Sequence, residues 1–340
     1  MLQKKEKVLV TGANGYIASH CIRELLSQGY IVKASLRNLK NKVQIKKALT
    51  NNLKNKRLDF CKLDLLLDNG WNESLEDCDY LLHVASPCII KEPKNAESVI
   101  KPAVEGTLRA LNASQKANIR KVVLTSSIGS MAFGHDKKKY DHNDWTDTTK
   151  NVGTYIKSKT LSEKKAWDFI NNNPDLSFNL TSINPGMVFG PLLINEFNSA
   201  SSRLIIDLIK GKYPSIPNIY FTFVDVRDVA KLHVNSLINN ESDNKRIIAA
   251  SEQGISFLDI SKFLRSRGFN KCPKSLIPNQ LINFLGFFNK DMKQTASLIK
   301  KGCYEADISE TARIFNWEPT PFDKTMDDML TSLNRFNLND

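Results

Sequence analysis

Tyr155 and Lys159, in the run Tyr155-Ile156-Lys157-Ser158-Lys159, are four residues apart and share a face if the segment is helical. A phenol titrates near ~10 and is a poor acid–base group at neutral pH. An ammonium one turn away stabilises the phenolate and is expected to bring that value down. A fall of about 3 units requires roughly 4 kcal/mol, which a partly buried lysine and a cationic ring beside it would supply. In the reducing direction Tyr155 would then hand a proton to a carbonyl oxygen. The pair alone is common by chance. It gains weight from Thr125-Ser126-Ser127, whose last residue lies 28 positions before Tyr155 at the end of a strand-like run. A hydroxyl there polarises the same carbonyl from its other side. Ser127 is the preferred donor and Ser126 its near neighbour; a plain polar strand end is the alternative.

These groups need a scaffold, and the first half of the chain alternates strand-like and helix-like segments. That is the pattern of a parallel sheet covered by helices. Strands are expected over 7–11, 31–36, 57–63, 80–84, 121–126 and 178–183, with helices over 16–28, near 98–117 and over 154–171. Between the first strand and first helix stands Thr11-Gly12-Ala13-Asn14-Gly15-Tyr16-Ile17-Ala18. Gly12 permits the tight turn, Gly15 lets the backbone approach a pyrophosphate, and Ala18 lets the helix pack close. Free N–H groups at the helix start then face the phosphates. Gly12, Asn14, Gly15, Tyr16 and Ile17 are the expected cofactor contacts in this turn.

The second strand ends in Arg37, 25 residues after Gly12, and no acidic residue occurs from Ile31 to Thr50. A carboxylate near this place reads a ribose hydroxyl, whereas an arginine accommodates a 2′-phosphate. With Lys40 and Lys42 nearby, the balance favours NADP(H) over NAD; a solvated basic loop is the plainer reading. Asp64 follows the third strand, where it could meet an adenine amine. Val84, Ala85 and Ser86 end the fourth with small residues, against which a nicotinamide half can lie.

The 340 residues, 41% apolar and 25% charged, describe an ordinary globular chain of about two domains. The +12 formal charge comes from scattered lysines, which reads as a general bias, so no nucleic-acid partner is expected. No run of 18 apolar residues occurs, so no transmembrane helix is expected, and no membrane partner either. The start lacks the pattern of a signal peptide. The six cysteines are neither paired as CxxC nor near histidines at ligand spacing, which predicts reduced thiols in a cytoplasmic protein and no metal.

In order along the chain, TGANGYIASH, HVASP (83–87), KPAVEGT (101–107), VVLTSS (122–127), YIKSK (155–159), INPGMVFGP (183–191), FVDVRDVAKLH (223–233) and DISETARIFNWEPTP resemble the extended short-chain dehydrogenase/reductase family. The nearest branch is that of dihydroflavonol reductases, cinnamoyl-CoA reductases and yeast-type ketone/aldehyde reductases. The resemblance implies an α/β fold: a Rossmann-type doubly wound parallel sheet with a smaller mixed α/β C-terminal substrate domain. Residues 1–190 would bind NADP, and 191–340 would mainly bind substrate, with some segments returning to the first domain. It also implies Ser127, Tyr155 and Lys159 as the catalytic trio, with Lys159 and Tyr155 touching the cofactor too. Arg37 and Lys42 would contact the 2′-phosphate, Asp64 and Leu65 the adenine, and Val84, Ala85, Ser86, Thr125, Pro185 and Val188 the rest of the cofactor. Ser86, Cys88, Ser127, Tyr155 and Gly186 would meet the substrate. Two departures stand out. Arg109 occupies a place where many relatives carry Asn, and the stretch from Ser127 to Tyr155 is short and charged compared with the plant enzymes.

The expected activity is therefore reduction by NADPH of a ketone or aldehyde with an apolar or aromatic body, by a monomer or homodimer. Rival readings are a nucleotide-sugar epimerase or dehydratase, a 3β-hydroxysteroid dehydrogenase-type oxidation, and a dinucleotide-sensing regulator without turnover. His83 reads as a packed histidine, and His135 and His142 as residues of the variable loop, His142 with an outside chance of touching substrate. Cys88 reads as a pocket wall, Asp225 and Asp228 as helix-start residues. Phe284, Phe287 and Phe288 read as core in preference to a membrane surface, with one wall of an apolar pocket as the alternative.

Overall fold

The computed structural model describes residues 5–89, 91–195 and 199–337. The first half runs β1 (Lys7–Val10), α1 (Tyr16–Ser27), β2 (Ile31–Leu36), α2 (Lys42–Thr50), β3 (Leu58–Lys62), α3 (Trp71–Leu75), β4 (Tyr80–His83), α4 (Glu97–Lys116), β5 (Lys121–Thr125), β6 (Lys139–Tyr140) and α5 (Thr154–Asn171). It continues through β7 (Asn179–Pro185), β8 (Met187–Phe189), α6 (Ala200–Ile209), β9 (Tyr220–Phe221), β10 (Phe223–Asp225), α7 (Val226–Ser236), β11 (Lys245–Ala249), β12 (Ile255–Ser256) and α8 (Phe257–Ser266). The end comprises α9 (Asn279–Leu285), α10 (Lys290–Lys301), β13 (Glu305–Ala306), α11 (Ser309–Phe315) and α12 (Phe322–Arg335).

Seven strands form one parallel sheet in the order β11-β7-β5-β4-β1-β2-β3. Their residues are short runs of Val, Leu and Ile buried on both faces, such as Val8, Leu9 and Val10, the composition that a parallel sheet between two helical layers requires. α1 packs with α7, and α4 with α5. In α1, Ala18, Cys21, Ile22, Leu25 and Leu26 make a buried stripe at helical spacing. The strand order reverses between β1 and β4, so a crevice opens at the C-terminal ends of these two strands, where open α/β sheets bind ligands.

A second core gathers Phe189, Ile205, Leu208, Phe221, Phe223, Ile260, Leu264, Met326 and Met329. It lies under the small pairs β8–β10 and β9–β12. The two halves interleave, since β11 and α7 return to the main sheet and its helical layer.

Phe284, Phe287 and Phe288 depart from the sequence expectation. They are 60%, 84% and 80% exposed and are not core. Of the α9 side chains, Ile282 turns inward and is fully buried. No helix among the described residues is long and apolar enough to cross a membrane.

Candidate active site

The crevice is a cleft of about 840 Å³. At its floor Gly12 has φ +75°, and a Cβ there would sit 3.1 Å from the Cβ of Ala85. Glycine is thus required both by conformation and by the neighbouring strand end. Gly15 caps α1 in an extended conformation with no side chain over the helix start, so the backbone N–H groups stay open to an anion. Asn14, Gly15, Tyr16 and Ile17 line the cleft here. The Tyr16 hydroxyl donates to the Gly190 carbonyl at 2.6 Å, and His20 Nε2 donates to that of Pro191 at 2.8 Å, so α1 is latched to the second half of the chain.

A side pocket of about 250 Å³ is lined by Asn14, Leu36, Arg37, Asn38, Lys40, Asn41 and Ile45. Two cations, three amides and no carboxylate fit a phosphate monoester. Lys42, which the resemblance placed here, opens α2 and is absent from this lining. Lys40, two residues earlier, lines the pocket instead. Asp64 and Leu65 border the cleft at the same end. Asp64 accepts from the N–H of Leu66 at 2.9 Å. Arg109 donates to the Leu65 carbonyl at 2.8 Å and pairs with Asp68, so this residue, unlike an asparagine, braces the loop rather than facing the cleft.

At the middle of the cleft, Thr11 Oγ1 accepts from the N–H groups of Val84 and Ala85 at 3.0 and 2.9 Å. Its own proton then goes to His83 Nδ1, 3.1 Å away. Burial lowers the His83 imidazole to about 3, so it is a neutral acceptor that fixes Thr11. A side chain just after β1 thereby pins the small-residue stretch after β4. Ser86, Pro185, Gly186 and Val188 line the adjacent wall.

Ser127, Tyr155 and Lys159 meet at the ends of β5 and α5 and line the cleft together. Lys159 is 6% exposed and donates from Nζ to the Thr125 carbonyl at 2.9 Å. Burial brings its ammonium down to about 8, with Cys88 and Glu163 opposing. Burial also pushes the Tyr155 phenol well up; Cys88 adds to the rise, and a hydrogen bond with Ser127 opposes it. This differs from the expectation that Lys159 makes the phenol acidic. The amine is directed to a strand-end carbonyl, and burial of Tyr155 outweighs the Ser127 hydrogen bond that opposes it. The result is a phenol that stays protonated at neutral pH within reach of the Ser127 hydroxyl. The two serines differ in their partners. Ser126 Oγ donates to buried Glu163, whereas Ser127 Oγ accepts from the Gly129 N–H at 3.0 Å, which leaves its own proton for other partners.

Several residues around this trio carry no motif in the sequence. Glu163, one turn beyond Lys159, is fully buried and accepts from Ser126, Ser130, Ser182, Asn184 and Arg246. Burial alone would raise its carboxyl, but Arg246 at 2.8 Å and the serine hydroxyls bring it to about 2. Arg246 also holds the carbonyls of His142 and Asp144 and stacks over Trp145, so it anchors the charged loop before α5. His233 Nδ1 donates to the Val229 carbonyl at 2.8 Å, which leaves Nε2 to accept from Thr125 Oγ1 at 2.7 Å. Thr125 is thus held from behind while its carbonyl holds Lys159. Glu92 caps α5 by accepting from the N–H of Thr154 at 3.0 Å. A chemically plausible i, i+4 step from Lys159 to Glu163 was the one available sequence signal for any of these.

The far end of the cleft is apolar, with Phe133, Tyr220, Phe221, Phe257, Leu298 and Tyr304 around an exposed Cys88. His142 lies outside this lining and pairs with Glu310 at 3.0 Å. Asp225 caps α7 and pairs with Arg227, and Asp228 accepts from the N–H of Thr320 at 2.8 Å. The described residues contain no cluster able to hold a metal.

The model of the NAD dependent epimerase/dehydratase family matches residues 8–250. A cinnamoyl-CoA reductase of Medicago truncatula is 34% identical over 268 residues, covering 76% of this chain and 79% of the relative. A dihydroflavonol 4-reductase of Arabidopsis thaliana is 32% identical over 277 residues, covering 78% and 71%. Among solved structures, yeast methylglyoxal/isovaleraldehyde reductase Gre2, complexed with NADPH, superposes with a TM-score of 0.81 at 25% identity, covering 98% of this chain and all of that one.

Proposed function

The chain belongs to the NAD dependent epimerase/dehydratase family, the extended short-chain dehydrogenases/reductases, and on that premise we propose that it is an NADPH-dependent reductase of ketones or aldehydes with an apolar or aromatic body. One observation carries the reading. Ser127, Tyr155 and Lys159 stand in a single cleft between an aromatic end and the glycine turn, next to a pocket that holds Arg37 and Lys40 and no carboxylate.

The site fits the cofactor. The open helix start after Gly15 suits the pyrophosphate and the side pocket suits the 2′-phosphate; bound there, NADPH supplies the hydride. Ser127 donates its free hydroxyl proton to the substrate carbonyl oxygen and draws electron density from the carbon. Tyr155, protonated because it is buried, gives its proton to the same oxygen as the carbon is reduced, and the alcohol leaves. Lys159, held on the Thr125 carbonyl in the resting protein, is the cation in the same cleft available to the phenolate once it forms, and the phenolate regains a proton from solvent. Thr125 and His233 orient Lys159 and take no proton. The six free thiols are in keeping with a reducing, cytoplasmic setting.

The test is oxidation of NADPH, and separately of NADH, across a panel of aldehydes, diketones, dihydroflavonols and acyl-CoA thioesters. Turnover with NADPH and at least one apolar ketone or aldehyde is expected. Turnover only with NADH, or only of a nucleotide sugar, would contradict the reading.

A further inference from the structure

Leu281, Phe284, Leu285 and Phe288 follow one another at i, i+3, i+4 and i+7, the spacing by which a helix ordinarily buries a face. In α9 and the turn after it, this stripe points outward. Leu281 is 46% and Leu285 38% exposed, beside the three phenylalanines described above. Phe284 and Phe288 stack edge to face, 5.6 Å between centroids, and Phe287 projects beyond them. Isolated apolar residues on a surface need no explanation, but a contiguous aromatic tip does.

The surroundings indicate what covers it. From Lys271 to Lys301 the chain has six lysines and one acid, Asp291. Asp291 is turned inward, accepting from the N–H of Glu92 at 2.9 Å, and Glu92 in turn is spent on capping α5. Lys271, Lys274, Lys290, Lys293 and Lys300 are exposed. The backbone of Lys293 packs against Gly286, where an added Cβ would meet its Cα at 3.2 Å, so Lys293, which is exposed, stands beside the turn that carries the aromatic tip. A symmetric contact between two copies would bring these lysines against each other, in a chain whose net charge is already +12. A protruding aromatic wedge inside a basic rim instead complements an anionic bilayer, whose acyl boundary takes the rings and whose headgroups take the lysines.

We propose that the α9–α10 tip docks this protein peripherally on anionic membranes, with Phe284, Phe287 and Phe288 inserted and Lys290 and Lys293 on the headgroups. The proposal revises the expectation of no membrane partner and does not depend on the reductase reading. Its test is co-sedimentation of the full chain with vesicles of phosphatidylcholine, alone or with about one-third phosphatidylserine. The protein is expected to pellet with the anionic vesicles, at least tenfold more weakly with neutral ones, and to be released by high salt. Lys290→Glu with Lys293→Glu should weaken binding by roughly twentyfold or more, from about fivefold per lysine. Phe287→Asp with Phe288→Asp should abolish it, and near-UV circular dichroism should stay unchanged because both rings are outside the core. A Phe287→Trp variant should show a blue-shifted emission on anionic vesicles. Failure of the unaltered chain to pellet, or pelleting that neither pair of substitutions changes, would overturn the proposal. So would light scattering that finds a dimer which Phe287→Asp with Phe288→Asp splits into monomers, since the patch would then be a contact between copies.

Discussion

In the proposed mechanism Lys159 sets the pH behaviour of the site. Its ammonium titrates near about 8 because it is buried, while Tyr155 remains protonated to much higher pH. The phenolate that forms when Tyr155 gives up its proton needs a cation beside it. The cation is present below about pH 8 and disappears above it, so kcat/KM should fall on the alkaline side with a midpoint near that value. A flat profile from neutral pH into the alkaline range would contradict the assignment. In the proposed reading Arg37 and Lys40, which line the side pocket, set the choice of cofactor. Arg37→Glu with Lys40→Glu should raise KM for NADPH by about a hundredfold, as two charge-assisted contacts are lost and two repulsive ones appear. KM for NADH should change little. Equal changes for both cofactors would show that the pocket does not hold the 2′-phosphate.

Among the elements, β1 and β4 cooperate through one hydroxyl. Thr11 accepts from the N–H groups of Val84 and Ala85 and donates its hydroxyl hydrogen bond to a neutral His83. Thr11→Val keeps the shape and removes the acceptor, leaving buried donors unmet at about 1–3 kcal/mol each. The expected outcome is a KM for NADPH raised several-fold with a smaller change in kcat, and recovery in Thr11→Ser. No recovery in the serine variant would mean that the shape, not the hydrogen bonds, matters. The same elements show what a sequence reveals. Strands such as Ile31–Leu36 match the expected bounds because an apolar run between turn signals has one sensible reading, and the glycine turn is a local pattern in which each residue answers to its near neighbours. Glu163 and Arg246 are 83 residues apart, and nothing in either stretch announces the other. Both Lys40 and Lys42 were expected near the 2′-phosphate, the resemblance naming Lys42; the sequence alone does not say which of them lines the pocket, because the five residues from Arg37 to Asn41 form a loop before α2 begins at Lys42. The phenylalanines near 284–288 have the periodicity of a core helix, and periodicity states that a face is apolar without stating what covers it.

For the molecule as a whole, acid stability follows from imidazoles buried without charge. His20, His83 and His233 are lowered by burial to about 4, 3 and 4, against an ordinary value near 6.5. The unfolded chain binds a proton at each of these sites below about 6.5, and the folded chain does not until far lower. Stability is therefore present above 6.5 and is lost as pH falls through the window down to about 4. Each site contributes on the order of 3 kcal/mol, so the unfolding free energy should drop steeply there. His233→Gln should flatten the dependence; a stability that stays constant from pH 7 to 4 would contradict the neutral assignments. These histidines join the sheet to α1, α7 and the 190–191 segment, so acid should loosen the two halves together in one transition.

In the proposed mechanism Tyr155 delivers the proton in a cleft that holds the cofactor by other groups. Replacing Tyr155 with Phe removes one oxygen atom from a ring that is otherwise retained, and the direct measurement is the single-turnover rate of NADPH oxidation by the two proteins with one reactive ketone, alongside NADPH binding. The account predicts a rate lower by a factor of at least about 100 in Tyr155→Phe with the dissociation constant for NADPH within about threefold of the original. Equal single-turnover rates in the two proteins would contradict it.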